Sequence, residues 1–220
     1  MNSELHYTRE IIKRLEAAFG EPQWQGRGKP LGSLIMTILS QSTNDNNRDM
    51  AYKRLKDRFP DWHAVMNAPV ADIAAAIRPA GLSNQKSARI KDVLRWVYDT
   101  YDTFDLGFLC DQDPQQTIET FLKLKGVGIK TISVVLMFTC GVDIFPVDTH
   151  VHRICKRLNL VPLNANAEKT HYLMQPQVPD GKSYSMHMNF LRLGRTICKA
   201  QTPKCPECPL NDICPSAQLD

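Results

Sequence analysis

Four cysteines, Cys198, Cys205, Cys208 and Cys214, fall in one short segment with the spacing C-x6-C-x2-C-x5-C. Any fold of this chain must gather their sulfurs or leave four thiols crowded on a loop. Thiolates are soft ligands that suit either zinc or an iron–sulfur cluster. Zinc sites usually pair two short CxxC knuckles, whereas here only Cys205 and Cys208 stand that close. The wider gaps favour a bulkier core, a [4Fe–4S] cluster, with zinc the lesser alternative. Pro203, Pro206, Pro209 and Pro215 stiffen the loop, as a rigid structural site requires. Of the three cysteines outside this loop, Cys110 is set apart, and Cys140 and Cys155 fall on apolar helical faces as small core residues. With no export signal, the odd count favours metal binding over disulfides.

The 220 residues suffice for one large domain or two modest ones. A formal net charge of +4 permits a polyanionic partner without demanding one. The polar start MNSELHYTRE lacks a signal-peptide pattern. The apolar runs LIMTIL at 34–39 and ISVVLMFTC at 132–140 have the length of core helices, not of bilayer spans. The expected location is the cytoplasm of a bacterium or archaeon, or an organelle or nucleus elsewhere.

Nearly every periodic segment has helical spacing, so the expected class is all-α. Thr8 is placed to cap a helix with Ile11, Ile12, Leu15 and Phe19 on one face, ended by Gly20. Residues 31–40 are apolar on all sides and predict a buried central helix. Amphipathic helices are expected over 46–58, 70–78 and 84–98. Asp113 followed by Pro114 opens a helix through Leu124. Another helix runs to Cys140, VDIFPV reads as a linker, and helices follow over about 149–158, 167–174 and 183–198.

In FLKLKGVGIKTISVV two helices meet at Gly126 and Gly128. Glycines permit positive φ and let backbone N–H groups approach a ligand. At a helix start those donors favour an anion such as a phosphate. Many helical hairpins turn on glycine for packing alone, but Lys130 in the first turn sharpens the signal. A helix start depresses a lysine pKa, which helps an amine that must act as a nucleophile. Asp148, in PVDTHVHR, caps the helix carrying Val151, Ile154 and Cys155. Capping would also fix its carboxylate for acid–base work.

The hairpin LKGVGIKT, the Gly141…Pro146…Asp148 loop and the cysteine tail together resemble the helix-hairpin-helix–GPD superfamily of DNA glycosylases, most closely its endonuclease III branch. The resemblance runs from ILSQST to Cys214. It implies two helical domains flanking a DNA-binding cleft. One is a six-helix barrel over 27–142, with its hairpin at about 114–140. The other is made of 1–26 and 143–220 and carries the [4Fe–4S] loop at 198–214. It further implies a monomer that acts on duplex DNA with damaged bases or abasic sites. Lys130 and Asp148 match the family's catalytic lysine and aspartate, and Gln41 and Leu82 match side chains that fill the duplex when a nucleotide is flipped out. The implied activity is a bifunctional glycosylase and AP lyase on oxidised pyrimidines.

Adenine-specific members lack the lysine, use a glutamate from the buried helix and carry an extra domain. Here Lys130 is present, Thr37 fills the glutamate slot and the chain stops soon after Cys214, so that branch is disfavoured. The 8-oxoguanine branch usually lacks the cysteine cluster. Asn44 stands where the family often has an aspartate, with Asp45 one place on, and Ser83 where a tyrosine is common. FPVDT also resembles the plant demethylase glycosylases. Lys199 and Lys204 in the cysteine loop are candidate phosphate contacts. His150 is expected to orient the active-site helix and His152 to lie at the surface. The competing readings are a monofunctional mismatch or modified-base glycosylase, using Asp148 with water, and a non-catalytic damage-binding module.

Overall fold

The computed structural model describes residues 2–217. Among these, eleven α-helices are joined by short 3-10 and π turns, and no strand is present. In chain order the helices are α1 (Asn2–Phe19), α2 (Pro30–Leu39), α3 (Asp45–Arg58), α4 (Trp62–Asn67), α5 (Val70–Ala76), α6 (Ser83–Tyr101), α7 (Pro114–Leu122), α8 (Ile129–Val135), α9 (Thr149–Arg157), α10 (Ala167–Met174) and α11 (Ser183–Thr196). None is long and apolar enough to cross a membrane.

Helix starts follow from local chemistry. The side chains of Asn44, Asp61, Asp113, Asp148 and Asn166 each accept the N–H three residues on, at 2.7–2.9 Å. Each cap satisfies a donor that the helix itself cannot, worth about 0.5–2 kcal/mol. Asp61 thereby starts α4, a helix too short to show a period. Thr8 is no cap. It lies fully buried inside α1, because it sits one turn before Ile11 and Ile12 on the same inward stripe, and burial of that stripe carries the helix further back.

The chain divides into two compact units, residues 27–140 and the segments before and after them. In the 27–140 unit, α2 is the central helix and packs on α3, α6 and α8. Leu34, Ile35, Ile38 and Leu39 are each at most 1% exposed, and burying such side chains contributes about 1.5–3 kcal/mol apiece. The polar Thr37 is absorbed by donating its hydroxyl to the Ser33 carbonyl at 2.8 Å. Lys86 sits in the apolar stripe of α6, ahead of Ile90, Val93, Leu94 and Val97, and is 2% exposed. Burial draws its pKa below the ordinary lysine value. Its ammonium donates to the carbonyls of Leu39 (2.8 Å) and Ala80 (2.7 Å).

In the other unit, α1 packs on α11, and α9 packs on α10 and α11. The core comprises Ile11, Ile12, Leu15, Phe145, Val151, Ile154, Phe190 and Leu193, among others. Lys182 pairs with Glu16 (2.9 Å) and Glu21 (2.5 Å), and these carboxylates hold its pKa above the usual lysine value. Ser185 donates to Glu16 at 2.6 Å, and Arg192 to the Phe19 carbonyl at 2.9 Å.

Cys155 is a fully buried core residue, as expected. Cys140 is not: it forms a disulfide with Cys110. After α8 the backbone widens into a π turn at Leu136–Cys140, which packs on the 3-10 turn Gly107–Asp111 carrying Cys110. The helical wheel that placed Cys140 in the core does not apply to a π turn. Replacing both cysteines by serine should lower the stability of the oxidised protein by about 2–4 kcal/mol, as expected for a cross-link closing a loop of this size. Urea denaturation with and without reductant measures it, and the double variant should show no further loss on reduction.

Candidate functional site

The hairpin between α7 and α8 is a tight turn in which the Val127 N–H donates to the Leu124 carbonyl at 3.0 Å. Its two glycines serve different needs. Gly126 has φ +87°, a conformation costly for any other residue. Gly128 has an ordinary φ of −97° and caps α8. A Cβ there would meet nothing, and no side chain caps α8 at this position. Lys130 follows in the first turn, half-buried. Gly126 also faces a neighbour the sequence did not announce: a Cβ at this position would strike the Arg89 guanidinium. The same guanidinium donates to Gln41 Oε1 at 2.8 Å. Arg89 therefore joins the hairpin to Gln41.

Gln41 lies just beyond α2 and is followed by Ser42 at φ +53°. Leu82 precedes α6 at φ +48° and is 57% exposed, an uncommon placing for a large apolar side chain. The Asn44 departure costs the fold nothing, since Asn44 caps α3 as an aspartate would, and Asp45 pairs with Arg48 at 2.9 Å. Ser83 opens α6.

In the other unit, Asp148 ends an extended segment and accepts the Val151 N–H at 2.8 Å. That segment is held from both sides. His171 Nδ1 donates to the Phe145 carbonyl (3.0 Å), His187 Nδ1 to the Pro146 carbonyl (2.9 Å), and the Phe145 N–H donates to Gln175 (2.9 Å). Both histidines are almost fully buried. Neither was among the expected site residues, because their carbonyl partners lie 26 and 41 positions away along the chain. His150 contacts Arg153 at 3.1 Å, and Arg153 donates onward to the carbonyls of Gly194 (3.0 Å) and Cys198 (2.7 Å). Arg153 thus links α9 to the cysteine loop. His152 is half-buried rather than a surface residue, bonded to Thr170 at 2.9 Å. Burial lowers its pKa first, aided by Lys156.

Cys198, Cys205, Cys208 and Cys214 line one pocket, together with Arg157, Ile197 and Pro203. Burial, then the charges of neighbouring cysteines, raise the thiols of Cys208 and Cys214. Gathering four sulfurs in this way is unfavourable unless a cationic group shares the space. Four soft thiol donors on one lining suit an iron–sulfur cluster. Arg157 donates to Cys198 Sγ at 3.2 Å and to the carbonyls of Lys199 (2.7 Å) and Ala200 (2.9 Å). Lys199 is exposed. Lys204 pairs with Glu207 at 3.1 Å, which blunts its use toward a phosphate.

Gly126→Ala should cost about 1–2 kcal/mol from its left-handed backbone alone, plus the displacement of Arg89. Pairing it with Arg89→Ala relieves only the second cost, so the double variant should recover part of the loss in urea midpoint. An additive double variant would show that Arg89 does not pack on the turn.

Comparison with known proteins extends this geometry. Residues 35–179 match the model of the HhH-GPD superfamily of base excision DNA repair proteins, and residues 198–214 match the iron–sulfur binding domain of endonuclease III. Over 206 residues the chain is 33% identical to an endonuclease III of Thermotoga maritima, covering 94% of this chain and 89% of that one. Over 190 residues it is 34% identical to an Arabidopsis thaliana protein named as a DNA glycosylase, covering 82% of this chain and 64% of the relative. This chain therefore spans less than two thirds of that relative's length. The structure of a trapped endonuclease III–DNA covalent intermediate superposes with a TM-score of 0.82 at 26% identity, covering 97% of this chain and 96% of that one. The chain therefore belongs to the HhH-GPD superfamily of base excision DNA repair proteins, on its endonuclease III-like branch, with an iron–sulfur cluster loop at 198–214.

Proposed function

We propose that this protein is a DNA glycosylase and AP lyase that removes oxidised pyrimidines from duplex DNA and cuts 3′ to the resulting abasic site. The observation that carries the reading is Lys130 in the first turn of α8, directly after Gly128, which brings no side-chain cap. Endonuclease III relatives and the covalent DNA intermediate of the solved neighbour support a covalent route.

In this mechanism the hairpin N–H groups hold a backbone phosphate. Gln41 and Leu82 enter the duplex as the damaged nucleotide leaves the stack. Asp148 accepts a proton from the Lys130 ammonium and faces the positive charge that develops at the sugar. The Lys130 amine forms a bond to C1′ as the C1′–N glycosidic bond breaks, and the departing base takes the bonding pair and a proton. The sugar ring opens, O4′ gains a proton, and nitrogen and C1′ become a protonated imine. Loss of a C2′ proton then expels the 3′ phosphate by β-elimination. Cys198, Cys205, Cys208 and Cys214 would hold the iron–sulfur cluster in its proposed [4Fe–4S] form, which would cross-link the loop that carries Lys199 toward a phosphate.

Borohydride trapping on duplexes carrying thymine glycol, dihydrouracil or an abasic site tests the proposal. Wild type should form a covalent adduct, and Lys130→Ala should reduce it by about a thousandfold or more. Asp148→Asn separates the two roles of that residue, because asparagine caps a helix as well as aspartate. It should leave stability within about 1 kcal/mol while slowing excision by about a hundredfold. Excision without any adduct would establish a monofunctional glycosylase, and binding without excision a recognition module.

A further inference from the structure

Lys86 takes no part in the chemistry above, yet it is one of the largest fully buried side chains of the 27–140 unit. A leucine or methionine would fill the same place in the α6 stripe without the cost of burying an ammonium, which is several kcal/mol before compensation. Its two acceptors show what that cost secures. Leu39 ends α2 two residues before Gln41, and Ala80 ends the 3-10 turn Arg78–Ala80 two residues before Leu82. Just beyond each contact the chain enters the left-handed region at a non-glycine residue, Ser42 at φ +53° and Leu82 at φ +48°. Each such residue costs about 1–2 kcal/mol and persists only where its surroundings fix it. The main-chain N–H of Lys86 also donates to the Leu82 carbonyl at 2.9 Å, so one residue grips the Leu82 turn on both sides. One helical turn further along α6, Arg89 holds the Gln41 side chain.

We propose that Lys86 is a positioning residue that ties the turn carrying Gln41 to the turn carrying Leu82, so that both side chains are presented to the duplex as one rigid pair. The proposal rests on the insertion role given above to Gln41 and Leu82. Lys86 touches neither DNA nor the reacting atoms in it. It acts by fixing two backbone turns before DNA arrives, which lowers the ordering cost of binding.

The experiment is the ratio of borohydride trapping on an abasic duplex to trapping on a single-stranded abasic oligonucleotide, where no stack has to be filled. It is read alongside the fluorescence of 2-aminopurine placed opposite the abasic site. Lys86→Met should lower the duplex-to-single-strand ratio and the fluorescence rise by about tenfold, which corresponds to about 1.4 kcal/mol of lost preorganisation. Its iron–sulfur absorbance should be retained. Leu82→Ala should lower the same ratio, and adding Lys86→Met to it should change the ratio less than twofold, since both act on one pair. Equal losses on both DNA forms, or an unchanged ratio beside a reduced one in Leu82→Ala, would overturn the role of Lys86 alone. An unchanged ratio in both Leu82→Ala and Gln41→Ala would remove the insertion reading, and the Lys86 proposal with it. If Lys86→Met does not fold, Lys86→Gln, which keeps one donor, is measured with the same outcomes.

Discussion

A helix leaves its first N–H groups and last C=O groups without partners inside itself, and almost every feature of this protein that bears on function is an answer to that shortage. Asp148 satisfies the start of α9. Gly128 brings no side-chain cap to the start of α8, beside Lys130. Gln41 follows the end of α2 and Leu82 precedes the start of α6. An all-helical chain offers a DNA phosphate few other places where backbone donors are exposed and fixed at once. The helix ends are therefore both the weak points of the fold and the places where it can act.

Buried cations and imidazoles complete what the caps do not. Lys86 takes the carbonyls of Leu39 and Ala80, and His171 and His187 take those of Phe145 and Pro146. Arg153 and Arg157 reach carbonyls of Gly194, Cys198, Lys199 and Ala200 around the cysteine loop. Apart from the Gly194 carbonyl inside α11, each of these side chains reaches from a regular helix to a helix end or an irregular segment beside a candidate functional residue. Left unsatisfied, the buried carbonyls of Leu39, Ala80, Phe145 and Pro146 would cost about 1–3 kcal/mol each, so these bonds hold their segments in place.

What could be read from the residues alone was whatever depends on neighbours in the chain. The apolar run of α2, the Asp113–Pro114 start, the glycine stop at Gly20 and the cysteine spacing are all local signals, and the folded chain keeps them. Thr8 misled because a good capping residue also fits a buried stripe when enough partners lie behind it. Cys140 misled because a π turn changes the angular step on which a helical wheel rests. Arg89 and the two buried histidines were invisible for another reason: their partners lie far along the chain. Lys86 was half-legible, as a charged residue in an apolar stripe is a signal, but only the structure identifies its two acceptors.

The packing of α1 carries a consequence for how the molecule comes into being. Its inner face rests on α11, and Glu16 pairs with Lys182 across most of the sequence. Residues 27–140 form a self-contained unit and can collapse as soon as they leave the ribosome, since domains fold as they emerge. Helix α1 has no such partner at hand. It stays amphipathic and uncovered until Lys182, 166 residues after Glu16, and α11 have been made. The nascent chain thus carries an exposed apolar stripe, the kind of surface that chaperones bind, all the while the 27–140 unit is being synthesised.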